Sequence, residues 1–297
     1  MATPFLSIFT PTYNRGGILS RVYQSLKNQT SKDFEWIIID DGSTDNTSLL
    51  VKPWLNEKEF LVRYYYKENG GLHTTYNLAI EKMNNSVLAV CIDSDDYMPN
   101  NAVELIKKCW NKNGNQNYGG IIGLDFDTSH NLIGGLFPSS EIDAIDLSLG
   151  KTDVIPGDKK YVCRTDLYKR TGPQPVFEGE KYFNPSWRNR EVARLCRKFL
   201  TLNKEICTVD YQTGGLSKNK FKQYKNSPNG YMCIRKQTLS FDGIPLKNKI
   251  KTVIHYDCEA LIANRFLTEL KTSKDKALML TLFPFGFGLY VVVKFKG

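Results

Sequence analysis

Apolar runs of strand length alternate with segments of helical periodicity through the first hundred residues. The runs LSIFTPTYN, FEWIIID, LVRYYYK and VLAVCI each have the length of a buried strand. Apolar positions recur at helical spacing between the first two runs, at Ile18, Leu19, Val22, Tyr23 and Leu26. A second helix is predicted from Leu72 to Met83, and Pro99 is predicted to open a third. This alternation is typical of an α/β fold with a parallel sheet wound with helices.

The pattern is looser beyond about residue 115. YGGIIGLDF and NLIGGLFP predict short strands and turns around glycine pairs. Residues 138–186 are rich in proline, glycine and charge, and we predict loops that line a site. A helix from Trp187 to Phe199, a strand EICTVDY and a lysine-rich, helical tail are predicted to follow.

The segment Ala277–Val293 contains 17 residues without a charge, and lysines lie on both sides of it. It is at the lower limit of length for a membrane span, and Pro284, Gly286 and Gly288 interrupt it. An apolar element in the membrane interface is a better interpretation than a span. A C-terminal strand or helix packed on the core is the alternative.

Charge is distributed unevenly along the 297 residues, whose net charge is +9. Residues 1–180 carry a net charge of −5, and residues 181–297 carry +14. A basic surface of this kind suits an anionic membrane face, a phosphate-bearing lipid or nucleic acid. The overall content, 41% hydrophobic and 24% charged, is that of a globular protein.

The cysteines and the first residues of the chain indicate the cellular compartment in which the protein is expected. Seven cysteines, an odd number with no CxxC pair, predict reduced thiols rather than a disulfide framework or a zinc site. The opening MATPFLSIFT has no basic start followed by a long apolar core, so we expect no secretory signal. The expected location is the cytoplasm.

Three carboxylates follow the fourth apolar run within four positions, at Asp93, Asp95 and Asp96. Like charges so close raise one another's pKa unless a cation is present, and a hard cation bridged to a phosphate would offset the repulsion. A polar helix N-terminus is the alternative, but it explains one aspartate and not three. The cluster therefore predicts a metal and phosphate site at a strand end.

A second pair of acids, Asp40 and Asp41, ends the run in IIIDDGSTDNT. One of them can accept hydrogen bonds from a base or a ribose, as acidic residues do in nucleotide-binding folds. The alternative is a strand-to-helix turn rich in capping residues. No GxGxxG or complete P-loop motif is present, so any phosphate must be held by metal and side chains.

These motifs resemble a known family. FTPTYNR, IIIDDGSTDNT, NGGLHTTYNLAI and CIDSDDYMP, in this order, resemble glycosyltransferase family 2, inverting enzymes of the GT-A fold that use nucleotide sugars. The resemblance continues through FEGEKYFNPSWRNREVA and YQTGGLSKN, which are similar to the acceptor half of bacterial enzymes that build capsular or lipopolysaccharide chains. It implies a Rossmann-like, mostly parallel sheet flanked by helices, with a C-terminal helical extension on the acceptor side.

The same resemblance implies three parts of the chain. Residues 1–115 would be the nucleotide-sugar-binding half of the GT-A domain and residues 116–215 its acceptor-binding half. Residues 216–297 would be a basic helical extension with an apolar tail at the membrane interface.

By the resemblance, the main chain near Pro11, together with Tyr13 and Asp41, would contact a uracil-type base. His73 would touch the diphosphate, although a capping or core histidine is the alternative. Leu72 stands where related sequences have a lysine, so this turn lacks a cation that they have.

Asp93 and Asp95 would form the DxD pair, with Asp95 near the ribose. Asp95 or Asp96 would hold Mn²⁺ or Mg²⁺ against the diphosphate.

The resemblance also implies that the catalytic base lies in an acidic pair at the start of the acceptor region. Lys181 occupies the aspartate position of that pair, so Glu180 is the first candidate and Glu178 the second. Either glutamate can instead be a surface charge in a glycine-containing loop. The lysine-rich stretch at residues 211–230 is either a solvated basic face or a set of phosphate donors.

Together these features predict a metal-dependent, inverting transferase that takes a sugar from a nucleotide sugar, UDP-linked by expectation. Its acceptor would be a saccharide or a polyprenyl-diphosphate-linked saccharide of a bacterial surface polysaccharide, on the inner face of the plasma membrane, with no nucleic-acid partner. The alternatives are a sugar nucleotidyltransferase and a non-catalytic nucleotide- or saccharide-binding scaffold of the same fold.

Overall fold

One mixed eight-stranded sheet organises the chain. The computed structural model describes residues 3–154, 156–211 and 220–296. The strand order is β3-β2-β1-β4-β7-β5-β8-β6. The strands are β1 Leu6–Thr12, β2 Phe34–Asp40, β3 Leu61–Tyr66, β4 Leu88–Cys91, β5 Gly120–Asp127, β6 Glu141–Asp143, β7 Lys159–Arg164 and β8 Lys198–Val209.

Helices cover both faces of the sheet and continue beyond it. They are α1 Leu19–Lys27, α2 Thr47–Val51, α3 Leu72–Lys82, α4 Ala102–Asn113, α5 Ala144–Leu149, α6 Thr165–Arg170, α7 Ser186–Leu195, α8 Lys220–Asn226, α9 Pro228–Leu239, α10 Leu246–Ile262, α11 Phe266–Thr272 and α12 Lys276–Lys296, with a 3₁₀ turn at Lys52–Asn56. One apolar core lies between the sheet and α1, α2 and α4. A second lies between the sheet and α3, α5, α6 and α7. This layering is the one expected when strands are apolar on both faces.

The first four strands confirm the predicted parallel arrangement. β1 pairs in parallel with β2 and with β4, and β2 pairs in parallel with β3. Thr12 at the end of β1 is level with Asp40 at the end of β2. The carboxyl ends of these strands therefore meet at one edge of the sheet, where ligands of open α/β sheets bind.

The prediction of loops for residues 138–186 is wrong in part, because this range contains β6, α5, β7 and α6. β7 is a central strand that pairs antiparallel with both β4 and β5. Its sequence KKYVCR begins with two charges and shows no clear alternation, so the pattern does not mark it as a strand.

Two predicted helix boundaries are also wrong. α7 ends at Leu195, and Phe199, predicted as helical, lies in β8. α4 begins at Ala102, so Pro99 precedes the helix rather than opening it. The carbonyl of Pro99 accepts hydrogen bonds from the amide of Ala102 and the side chain of Gln29, which ties this turn to the end of α1.

The C-terminal tail is helical, as predicted, and its helices pack into a bundle. α10 packs against α9 and α12 around Met232, Val253, Tyr256, Ala260 and Met279. α12 runs as one helix through Pro284. Within the described part of the chain, α12 is the one helix long and apolar enough to cross a membrane.

Candidate active site

A large cleft opens at the carboxyl ends of β1, β2 and β4, with a volume of about 1520 Å³. One wall carries most of the acids predicted from the sequence. The other wall comes from α5, α7, α9 and α10. The aspartates that line the cleft are Asp41, Asp93, Asp95, Asp96, Asp125, Asp158 and Asp210.

Asp41 organises the loop that follows β3. Its carboxylate accepts hydrogen bonds from the amides of Gly70 and Gly71, at 2.9 and 2.8 Å, and from Lys67 Nζ at 2.5 Å. The side chain of Asn69 donates to the carbonyl of Asp41 at 2.8 Å. The two motifs DDGS and NGG are therefore one structural unit, and Asp41 is a buried member of it.

The NGG loop is also in close contact with the segment that contains Lys181. Gly71 has φ of 93°, and a Cβ built on it would lie 2.0 Å from the carbonyl oxygen of Lys181. Glycine alone fits both this conformation and this close approach. Lys181 Nζ donates to Asn69 Oδ1 at 2.7 Å, so side chain and main chain together hold the two segments in contact.

The other residues predicted to contact the nucleotide sugar differ in how far they are buried. Pro11 is buried at the end of β1 and lines the cleft, and Tyr13 is 49% exposed at its mouth. His73 is buried, packs its ring 6.0 Å from that of Phe183, and is not among the lining residues. Burial and the charge of Lys67 lower the pKa of His73, so it is neutral at neutral pH.

Asp96 lines the cleft, but its side chain is largely buried and is held by other residues of the protein. It is 5% exposed and lies 3.5 Å from Lys160 Nζ. Its carboxylate also accepts from the amide of Asp210 at 3.3 Å and from Cys207 Sγ at 3.7 Å. Burial raises the pKa of Asp96 in spite of Lys160.

Lys160 is the positive centre of a buried acidic cluster. Burial opposes its charge, but the surrounding acids, Asp125 above all, raise its pKa well above the usual value. Asp125 is buried, its Oδ1 has no hydrogen-bond partner among the described residues, and burial raises its pKa to about 6. Asp93 belongs to the same cluster, and burial raises its pKa as well. A lysine thus supplies part of the counter-charge that the sequence assigned to a metal.

Asp95 is the member of the acidic motif that faces the cleft most openly. Its side chain is 24% exposed and its nearest cation is Arg15 Nη2, at 4.0 Å. Its main-chain carbonyl accepts from Arg21 Nη2 at 2.8 Å, which fixes the strand end. Burial, and then the charge of Asp96, raise the pKa of Asp95, so a cation at this carboxylate would relieve an unfavourable charge.

The acidic residues of the cleft fit a divalent cation only if a bound phosphate completes its coordination shell. Among the described residues, no group of three or more His, Cys, Asp or Glu side chains is arranged to hold a metal. Mg²⁺ in nucleotide enzymes is commonly held by one or two carboxylates, with substrate phosphates and water completing its shell. Asp95 has the exposure that such a site needs, whereas Asp96 is occupied by Lys160.

The two candidate bases lie away from the lining of the cleft. Glu180 is buried and accepts hydrogen bonds from the amides of Asn229 and Gly230, at 2.9 and 2.8 Å, and from Asn229 Nδ2 at 2.7 Å. Both of its oxygens therefore bind the N-terminus of α9. Glu178 is exposed. The assignment of the base stays a prediction.

Sequence reasoning missed several residues that build the site. Lys160 and Asp125 come from β7 and β5, and nothing in the pattern around them distinguishes them from surface charges. Arg190, Arg235 and His255 line the far wall from three separate helices. Of the lysine-rich stretch at 211–230, residues 212–219 lie outside the part of the chain that the structure describes.

Comparison with known proteins connects this cleft to a family. The model of the family "Glycosyl transferase family 2" matches residues 7–155, half of the chain. Glycosyltransferase GlyA of Streptococcus pneumoniae is 24% identical over 87% of this chain and 38% of its own length. Chondroitin synthase of Pasteurella multocida is 39% identical over 35% of this chain and 11% of its own length. The chain thus spans well under two thirds of these relatives.

Solved structures with the same architecture cover nearly the whole chain. TarS 1–349 of S. aureus, in complex with UDP-GlcNAc, has a TM-score of 0.64 and 17% identity, over 93% of this chain and 79% of that one. The mannosyltransferase PcManGT of Pyrobaculum calidifontis, in complex with GDP-Man and Mn²⁺, has a TM-score of 0.56 and 14% identity, over 99% and 83%. At these identities the likeness shows the fold alone, and it confirms the predicted GT-A fold.

Proposed function

Because the chain belongs to glycosyltransferase family 2, we propose that it transfers a sugar from a nucleotide sugar to a saccharide acceptor. The observation that carries the proposal is the joining of the DDGS, NGG and DSDD motifs in one cleft with a second wall. A nucleoside diphosphate fits the wall of strand ends and an acceptor fits the opposite wall. We infer a UDP-linked donor, inversion at the anomeric carbon, and an acceptor that is free or lipid-linked, in bacterial surface polysaccharide synthesis.

The donor would bind along the ends of β1 and β2. Tyr13 offers an exposed ring, and the main chain at Pro11 lies behind it. Asp41 would act on the base chiefly by fixing the NGG loop, since its carboxylate already accepts four hydrogen bonds. A ligand that binds the carboxylate of Asp41 would have to displace one of these donors, such as Lys67, whose side chain is partly exposed.

We propose Asp95 as the protein ligand of Mn²⁺ or Mg²⁺, with Asp93 and Asp96 behind it. When bound, such an ion neutralises charge on the diphosphate that leaves. Arg15, 4.0 Å from Asp95, would add a second positive charge beside the diphosphate. The raised pKa of Asp95 supports this assignment, because a bound cation would favour the charged form of a carboxylate that burial and Asp96 disfavour.

Inversion requires a carboxylate that takes the proton of the acceptor hydroxyl. The hydroxyl oxygen then bonds to the anomeric carbon while the bond to the diphosphate breaks on the opposite side. Glu180 remains the first candidate and Glu178 the second. For Glu180 to act, one oxygen would have to exchange its hydrogen bond with the N-terminus of α9 for one with the acceptor.

We propose that α12 attaches the protein to the inner face of the plasma membrane. Its outward side exposes Leu280, Phe285, Phe287, Val292 and Phe295. Leu246 and Leu267, on α10 and α11, are 69% and 70% exposed in the same bundle. Lysines lie at both ends of α12 and suit anionic headgroups. The opposite side of α12 packs on α10, which favours an interfacial helix over a span.

The test is release of nucleoside diphosphate from a panel of UDP- and GDP-sugars, with and without Mn²⁺ or Mg²⁺. Slow donor hydrolysis needs no knowledge of the acceptor. We expect metal-dependent release from at least one donor, and its loss in Asp95→Asn but not in the control Glu81→Gln, a carboxylate exposed on α3. Pyrophosphate exchange instead would indicate a nucleotidyltransferase, and donor binding without turnover a scaffold.

A further inference from the structure

The two walls of the cleft carry opposite charge. The strand-end wall holds seven aspartates against four cations, Arg15, Lys159, Lys160 and Lys181, whereas the wall formed by α7, α9 and α10 presents Arg190, Arg235 and Lys251 without an acid. None of the lining residues that these three helices contribute is an aspartate or a glutamate. The strand-end wall suits a metal-bound diphosphate, and the helical wall suits a ligand with a negative charge of its own.

Arg190 carries a partly buried guanidinium that has no acidic partner among the residues the structure describes. Its Nη1 donates to Thr238 Oγ1 at 2.8 Å, and its Nε is buried with no hydrogen-bond partner among the described residues. Burial, with the charge of Arg235 added, lowers the pKa of Arg190. An unpaired guanidinium in a partly dry site is unfavourable unless an anion joins it.

Arg235 and His255 extend this positive surface. Arg235 binds Glu259 on its inner side, at 3.1 Å, and lines the cleft on the other. His255 Nδ1 is buried with no hydrogen-bond partner in the described part of the chain, and its ring meets the edge of Tyr224 at 5.6 Å. Burial, then Arg235 and Lys251, lower the pKa of His255 to about 4. Three groups from three helices thus line one wall, with Arg235 near enough to act on the charge of the other two. Arg190 and His255 each keep a ring or guanidinium nitrogen without a hydrogen-bond partner among the described residues.

We propose that Arg190, Arg235 and His255 form a binding site for an anionic group of the acceptor, a phosphate or a carboxylate. That the anion belongs to an acceptor rests on the proposed function. The proposal narrows the acceptor to an anionic saccharide or a saccharide linked through a phosphate. The anion would bridge the two guanidinium groups and accept a hydrogen bond from the imidazole.

The three histidines of the chain allow a test that does not depend on activity. His255 reports the helical wall, His73 lies beside the NGG loop on the donor side, and His130 is exposed beside Glu205 outside the cleft. We expect inorganic phosphate, titrated at constant ionic strength against chloride, to shift the imidazole NMR signals of His255 saturably and to raise its pKa. The signals of His130 should not move.

Arg190→Gln should weaken the phosphate-dependent shift of His255 at least tenfold. Lys251→Gln, at an exposed position, offers a second variant with little effect on folding. The matched control is Arg194→Gln, one turn further along α7, where the side chain pairs with Glu191 away from the cleft. A shift confined to His73, or one that Arg190→Gln leaves unchanged, overturns the site.

Acceptor assays then identify the source of the anion. We expect Arg190→Gln to reduce kcat/KM for an anionic acceptor at least tenfold more than for the same saccharide without its charged group. Equal losses overturn the proposal. A soluble saccharide phosphate or uronate as the better acceptor indicates a charged glycan, and a polyprenyl-diphosphate saccharide indicates the lipid linkage. If no donor releases nucleoside diphosphate, the proposed function fails, and the phosphate titration still tests the site.

Discussion

Lys160 Nζ lies 3.5 Å from Oδ2 of Asp96, and the two side chains are 13% and 6% exposed. The lysine comes from an antiparallel strand of the second half of the chain, and the aspartate follows β4 of the first half. This pair divides the acidic motif into a part neutralised within the protein and a part open to a ligand. Asp96 therefore stabilises the structure of the cleft, whereas Asp95 is available to bind a ligand in it.

We predict that Asp95→Asn and Asp96→Asn separate activity from stability. Asp95→Asn should reduce metal-dependent donor turnover at least about 100-fold, with little change in melting temperature, because its side chain makes no close ion pair. Asp96→Asn should destabilise the protein by on the order of 3 kcal/mol, because Lys160 loses a buried partner. Thermal unfolding and nucleoside diphosphate release measure the two effects. Equal stability of both variants would refute this division.

The two candidate bases can be distinguished by stability as well as rate. Glu180→Gln should lower the melting temperature, because its amide nitrogen cannot accept from the amides at the start of α9. Glu178→Gln should leave the melting temperature unchanged, since Glu178 is exposed. The variant that removes the base should reduce kcat by about 10²-fold or more at unchanged donor affinity. Near-normal kcat in both variants would move the base to another residue.

The outward face of α12 should bind anionic membranes. We expect the full chain to float with phosphatidylcholine vesicles that contain phosphatidylglycerol, and less with phosphatidylcholine alone. Phe285→Ser combined with Phe295→Ser should weaken binding at least about tenfold, because each ring buries apolar area in the interface. Leu49→Ser with Leu136→Ser, equally exposed but outside the bundle, is the control. Equal flotation of the two double variants would contradict the interfacial role of α12.

Asp257 gives the C-terminal bundle a dependence on pH. It is fully buried beside Gly286 of α12, neither carboxylate oxygen has a hydrogen-bond partner among the described residues, and burial raises its pKa to about 7. The folded state therefore binds this proton more tightly than the unfolded state. The protonated Asp257 therefore makes its full contribution to the free energy of unfolding below about pH 4. This contribution is lost as the pH rises to 7.

Asp257→Asn removes this titration. We expect the melting temperature of the variant to exceed that of the wild type by about 2 to 4 °C or more at pH 8, with the difference shrinking or reversing at pH 5. Comparing the two proteins at each pH cancels the contribution of Glu259, whose pKa is also about 7 because of burial. Asp242→Asn, at an exposed site, is the control. A difference that does not depend on pH would contradict the assignment.

The sequence predicted the half of the fold in which local pattern and tertiary role agree. β1, β2 and β4 are apolar runs that end in polar residues, so both their burial and the position of Asp93 and Asp95 could be read directly. The pattern could not place Lys160. Its position depends on β7 pairing antiparallel with β4, where Val162 is level with Val90, and no local signal specifies that register.

Residue roles were harder to predict than positions. Glu180 lies in the predicted acceptor segment, but its hydrogen bonds go to a helix that begins almost fifty residues later. Arg190, Arg235 and His255 are far apart in sequence and become a site only when α7, α9 and α10 pack around one cleft. Such convergence depends on tertiary packing, which periodicity does not describe.

The close approach of Gly71 to the main chain of Lys181 has a consequence for attempts to recombine relatives of this protein. A hybrid that exchanges only the first hundred residues would join the NGG loop of one protein to the Lys181 segment of another, and the two surfaces would not be complementary in shape. A side chain at position 71, or a shifted backbone at 181, would force them apart. To exchange donor preference between such enzymes, the segments around positions 71 and 181 should therefore be transferred together.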